Sequence, residues 1–239
     1  MPAGEETYMK YTKLGCSDLT VSRICMGCMG FGDPGKGQHS WTLDEGRSRE
    51  IIKHGLEQGV NFYDTAVGYQ GGTSEQYVGR ALRDCAGREE VVVATKFTPR
   101  TKEEAEKGIS GQEHIERMLN RSLKNLGMDY VDLYIYHMWD YQTPLYEIMD
   151  GLDRMVKAGK ARYIGISHCY AWQLAKANAL AEKEGFAKFI PVQGHYNFMF
   201  REEEREMLPN CSGETIALQP YSAPSGGRLT NRPGANAKR

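Results

Sequence analysis

Apolar spacing along the chain alternates between two patterns. Short β-type runs recur at about 24–29, 60–63, 91–95, 131–137, 161–167, 190–194 and 215–219. Helical stripes fall between them. Ile51, Ile52 and Leu56 mark a helix over about 43–58, and Tyr77, Val78, Ala81 and Leu82 mark the next. Ile115, Met118, Leu119, Leu123 and Leu126 follow, then Leu145, Ile148, Met149, Leu152 and Val156. Further helices are expected at 172–184 and at 201–207. Thr42-x-x-Glu45 and Ser110-x-x-Glu113 read as capping boxes, and Thr143-Pro144 as an N-cap with proline at the first helical position. A hairpin over 8–14 and 19–24, turning at Gly15-Cys16-Ser17-Asp18, precedes all of this.

Seven strands alternating with six helices predict parallel βαβ units in an α/β fold. A doubly wound sheet is disfavoured, because Gly27-x-x-Gly30-x-Gly32 lacks the dinucleotide spacing and leads into a loop. The polar residues favour a (β/α)8 TIM barrel. Asp64, Lys96 and His137 stand at the C-terminal ends of three successive strands, and Tyr69 lies on the loop after the first. In a barrel those ends converge on one face, with the N-terminal β-hairpin as a plug at the other. One domain spanning 1–239 is expected, with 230–239 as loop.

Composition narrows the partners. The net charge of −1 and pI of about 6.6 give no reason to expect nucleic acid or an acidic membrane. No apolar run approaches the roughly 18 residues of a spanning helix, and the N-terminus lacks a basic-then-apolar leader. Six scattered cysteines read as reduced thiols, so a cytoplasmic location is expected. Cys25-x-x-Cys28 has no second ligand pair, and its strand-like setting argues against a metal or redox motif. The charged run 201–206 reads as a solvated helix face.

The motifs resemble the aldo-keto reductase family. Asp64 and Tyr69 in D-T-A-V-G-Y, Lys96 after V-V-V-A-T and His137 after D-L-Y-I-Y match its catalytic tetrad in order and context. Gly165-Ile166-Ser167, Gln193 before His195-Tyr196-Asn197, and Pro220-Tyr221-Ser222 with Gly227-Arg228-Leu229 extend the match. Within the family the sequence is most similar to the bacterial branch near the potassium-channel β subunits. The resemblance implies NADPH (NADP+ when oxidised), its carboxamide held by Ser167, His168 and Gln193, with Tyr221 stacked on the nicotinamide. The loop from Ser222 through Ser225 and Gly227 to Arg228 would wrap the pyrophosphate.

The residue chemistry agrees with that assignment. A tyrosine of pKa near 10 needs its anion stabilised before it can donate a proton at neutral pH. A neighbouring ammonium is expected to lower that pKa, and a buried carboxylate holds the ammonium charged. Tyr69 is then the general acid, Lys96 its modulator, Asp64 the anchor of Lys96, and His137 the orienter of a substrate carbonyl. Such a set delivers one proton while a nicotinamide supplies hydride. The small-molecule substrate is an aldehyde or ketone, sugars included, and nothing sets the oligomeric state. Trp139 and Tyr141 are candidate pocket residues, while Tyr134 and Tyr136 read as wall residues.

Three departures stand out. His168 occupies a position where the family usually has Asn, and imidazole lacks the amide's paired donor and acceptor. Pro224 removes a backbone donor from the phosphate loop, and Gly226 stands where relatives more often carry Ser. From Asn231 the chain runs N-R-P-G-A-N-A-K-R without an apolar face. The resemblance implies a further helix, an eighth strand, a last helix and a segment gripping the 2′-phosphate, all absent from this sequence. A non-catalytic nucleotide-sensing or scaffolding subunit, or an inactive shortened relative, is therefore the alternative reading.

Overall fold

The computed structural model describes residues 9–230. Strands β1 (Tyr11–Lys13) and β2 (Thr20–Ser22) form the expected antiparallel hairpin, and the part expected before residue 9 lies outside the described residues. Seven parallel strands follow in sequential order: β3 (Cys25–Gly27), β4 (Phe62–Asp64), β5 (Val92–Phe97), β6 (Val131–Tyr136), β7 (Ala161–Ser167), β8 (Phe189–His195) and β9 (Ala217–Tyr221). Sequential order with a helix in every crossover is the signature of a barrel wall. Flat, the outer strands of this sheet would lie roughly 29 Å apart, six spacings of about 4.8 Å. Yet Gln219 Nε2 on β9 is 3.5 Å from Cys25 Sγ on β3. The sheet is curled. The expected loop beyond residue 230 lies outside the described residues.

The outer layer comprises α1 (Glu45–Glu57), α2 (Thr73–Cys85), the short α3 (Lys102–Glu106), α4 (Gly111–Leu126), α5 (Leu145–Lys157), α6 (Ala171–Glu184) and α7 (Met207–Glu214). Pleat alternation sorts the strand residues between two cores. Tyr63, Val93, Tyr134 and Tyr136 point outward against helix residues such as Ile115, Leu119 and Ile148. Phe62, Val92, Ala94, Leu133 and Ile135 point inward and cluster with Leu14, Leu19 and Val21 of the hairpin. Continuing that alternation to the strand ends turns Asp64, Lys96 and His137 inward.

The structure corrects several boundaries. The first sheet strand stops at Gly27 and gives way to a 3-10 turn over Cys28–Gly30 rather than running to 29. Helix α1 is capped by Asp44, whose carboxylate accepts from Arg47 N at 3.0 Å, so Thr42 does not form the expected capping box. The charged run holds only a 3-10 turn at Glu202–Glu204, because it has no apolar face to bury. The helix forms later, where Met207 and Cys211 share a buried stripe.

Candidate active site

Lys96 is fully buried at the end of β5. Its Nζ donates to Asp64 Oδ1 at 2.5 Å and to the Thr65 carbonyl at 2.7 Å, so the ammonium has two fixed acceptors. Gln193 Nε2 donates to the other carboxylate oxygen of Asp64 at 3.1 Å. Above this pair, Lys96 Nζ lies 5.0 Å from the centroid of the Tyr69 ring. The His137 ring stands edge-on to Tyr69 with centroids 6.0 Å apart, and His168 lies 5.9 Å beyond it. Four side chains from three strand ends and one loop thus meet within one cluster.

The electrostatics follow from burial. Desolvation favours the uncharged form of Lys96, but Asp64 and Tyr69 together outweigh it and hold its pKa well above the ordinary value. Burial pushes the Tyr69 phenol up; Lys96 opposes the rise and Asp64 adds to it, with a net upward shift. The expected lowering by Lys96 is therefore present but outweighed, and Tyr69 is a protonated phenol at neutral pH. Burial, with Lys96 and His168 nearby, pushes His137 down from 6.5 to about 3, so its ring is neutral. His168 moves in the same direction, by burial first and then by Lys96 and His195.

These groups face a cavity of about 690 Å³ at the C-terminal ends of the strands, within the usual size range of ligand pockets. Asp64, Tyr69, His137, His168, Gln193, Tyr221 and Ser222 line it. Tyr221 stacks on His195 with centroids 5.3 Å apart, and its hydroxyl is 3.4 Å from His168 Nδ1. Ser167 lies behind the wall, fully buried, with its hydroxyl donating to the Gln193 carbonyl at 2.9 Å. Ser225 and Gly227 bound a 3-10 turn followed by Arg228, and none of the three is among the residues lining the cavity. Trp139 packs against the outer core and Tyr141 is exposed, so neither forms the expected pocket.

The rest of the wall escaped sequence reading. Gln38 and His39 come from the β3–α1 loop, Gln70 follows Tyr69, and Gln219 and Cys25 lie deeper. Gln219 could have been found from the alternation Ala217, Gln219, Tyr221 along β9; Gln38 and His39 carry no periodic signal. Burial first, then the Asp64 charge, pushes the Cys25 thiol well up, which disfavours its thiolate. All six cysteines are free. Among the described residues, no helix is long and apolar enough to cross a membrane.

Comparison with known proteins agrees with this geometry. Residues 23–238 match the aldo/keto reductase family. Versiconal hemiacetal acetate reductase of Aspergillus parasiticus is 37% identical, over 95% of this chain and 71% of its own length. Norsolorinic acid reductase B of Dothistroma septosporum is 34% identical over 90% and 57%, and an aryl-alcohol dehydrogenase of Pestalotiopsis microspora 36% over 93% and 60%. The chain therefore spans between 57% and 71% of the length of these relatives. A thermostable aldo-keto reductase crystallised with the inhibitor epalrestat superposes with a TM-score of 0.79 at 27% identity, over 95% of this chain and 76% of that one. By its sequence and its fold, the chain belongs to the aldo/keto reductase family.

Proposed function

We propose that this chain carries the active site of an NADPH-dependent carbonyl reductase that takes an aldehyde or ketone to an alcohol. One observation carries the reading: the buried Lys96–Asp64 ion pair lies against the ring of Tyr69, at a cavity that Asp64, Tyr69 and His137 line. A bound nicotinamide supplies the hydride. Tyr69, kept protonated by burial, donates its phenolic proton to the carbonyl oxygen. The Lys96 ammonium, aimed by Asp64 and the Thr65 carbonyl, stabilises the phenolate left behind. His137, neutral, offers a ring N–H that orients the carbonyl.

The residues present fit the nicotinamide end of the cofactor. Tyr221 offers an aromatic ring on the cavity wall, and the side-chain oxygen of Gln219 is buried without a partner, an acceptor suited to a carboxamide N–H. Gln193 and His168 border the same space, while Ser167 would act through its bond to Gln193. A cytoplasmic location accords with the six free thiols. The relatives named above are fungal, so placement near the bacterial branch and the potassium-channel β subunits rests on the quoted motifs alone. The aryl-alcohol dehydrogenase among them makes an aromatic aldehyde the first probe.

One observation favours the non-catalytic alternative. Ser225, Gly227 and Arg228, expected to wrap the pyrophosphate, stand off the cavity. NADPH titration followed by tryptophan fluorescence, with an aromatic aldehyde added afterwards, tests both readings, because the Trp41 ring lies 4.8 Å from that of the cavity residue His39. Saturable quenching followed by aldehyde-dependent loss of NADPH supports the reductase reading; quenching without that loss favours the nucleotide-sensing alternative, and a folded chain without quenching overturns the reductase reading.

A further inference from the structure

The side chain of Gln70 is almost wholly buried, and none of the chemistry above uses it. Its Nε2 donates to the Asp33 carbonyl at 2.9 Å and to the His39 carbonyl at 2.8 Å, with Thr42 Oγ1 at 3.2 Å. Its Oε1 accepts from His39 N at 3.1 Å. One amide thus grips both ends of the loop over 33–42, which carries Gln38 and His39 into the cavity. The fit is close. A Cβ on Gly37 would lie 2.2 Å from Gln70 Oε1, and a Cβ on Gly71 would lie 2.7 Å from the Lys36 carbonyl. The backbone bears a cost for the contact, since Gln70 sits at φ 48, a left-handed conformation that side-chain-bearing residues seldom adopt. Gln70 also adjoins Tyr69 directly, so loop and phenol share one anchor.

We infer that Gln70 is a positioning residue for the proposed reduction: its amide latches the loop over 33–42 as a wall of the cavity beside Tyr69, and so sets how tightly the site holds its carbonyl substrate. The inference rests on the reductase reading for its kinetic consequence, but not for the latch itself.

The loop contains an exposed trypsin site at Lys36, whose side chain is 65% accessible. Two variants separate the possibilities. Gln70→Glu keeps length and shape but loses both N–H donors, whereas Gln70→Gly removes the amide and relieves the left-handed backbone. Both are expected to speed cleavage after Lys36 by about tenfold or more while keeping one cooperative thermal transition. With NADPH and benzaldehyde, both are expected to raise KM by about tenfold with kcat changed less than about threefold. A space-filling role would instead be rescued by Gln70→Glu, and a purely conformational one by Gln70→Gly. Wild-type cleavage in either variant, or faster cleavage without a rise in KM, overturns the inference. A wild-type protein without turnover overturns the reductase reading and the kinetic role with it, and the cleavage ratios then decide the latch alone.

Discussion

Lys96 keeps its charge in a fully enclosed position only because Asp64 and the Thr65 carbonyl accept hydrogen bonds from its ammonium and the Asp64 carboxylate balances the charge. Removing one partner of such a pair leaves an uncompensated buried charge, which typically costs about 3–5 kcal/mol. Asp64→Ala should therefore lower the urea-derived stability by about that much. Adding Lys96→Met to it should restore a large part, an outcome a double-mutant cycle measures directly. His137 makes a pH-dependent contribution of opposite origin. Its folded-state pKa of about 3 lies below the ordinary 6.5, so its stability contribution is full above about 6.5 and is lost as pH falls toward about 3. In His137→Gln, the loss of stability between pH 7 and pH 5 should be smaller than in the wild-type chain, as read from urea midpoints at both values; equal losses would contradict the assignment. Asp64, Lys96 and His137 were legible because a polar residue closing an apolar strand run stands out. Gln70 was not, because an amide in a loop looks like any surface residue until its neighbours are known.

Among the elements, β8 shows where periodic reasoning fails. Ile164 pairs with Phe189 and Ile166 with Val192, so β8 carries one extra residue against β7. Pro191 sits in that step, where a missing N–H does least harm. The extra residue changes the phase of the pleat: Ile190 faces the inner core, and beyond the bulge Gln193 rather than Val192 faces inward. A strict period of two from Ile190 would have sent Gln193 outward, and only the family motif identified it. Helix α4, by contrast, was legible in its cap Ser110 and in its buried stripe through Leu119, although Glu113 does not return the bond that a full capping box requires. Ser110 Oγ accepts from Glu113 N at 3.1 Å, so Ser110→Ala should cost about 1 kcal/mol. Leu119→Ala, at a fully enclosed site, should cost about 2–5 kcal/mol. Thermal unfolding of the two variants checks that order, and a reversal would contradict the packing described for α4.

For the whole molecule, the curl of the sheet is what turns scattered residues into a site. It brings β3 and β9 within side-chain reach and gathers the C-terminal strand ends around one cavity, while hairpin side chains fill the inner core. Parallel βαβ alternation together with polar residues closing successive strands was enough to predict that convergence. It could not predict which loops supply the remaining wall, because the segment over 33–42 is held by side chains distant in sequence, Gln70 at both its ends and Thr73 at Asp33. The role proposed for Tyr69 is that of proton donor in a nicotinamide-dependent carbonyl reduction. Its most direct test follows NADPH consumption with an aromatic aldehyde in the wild-type chain and in Tyr69→Phe, with NADPH affinity measured for both. The expected result is aldehyde-dependent consumption by the wild-type chain and a loss of about 10²–10⁴-fold in the variant, at unchanged affinity. Consumption at the same rate in Tyr69→Phe, or none in a wild-type chain that binds NADPH, would contradict it.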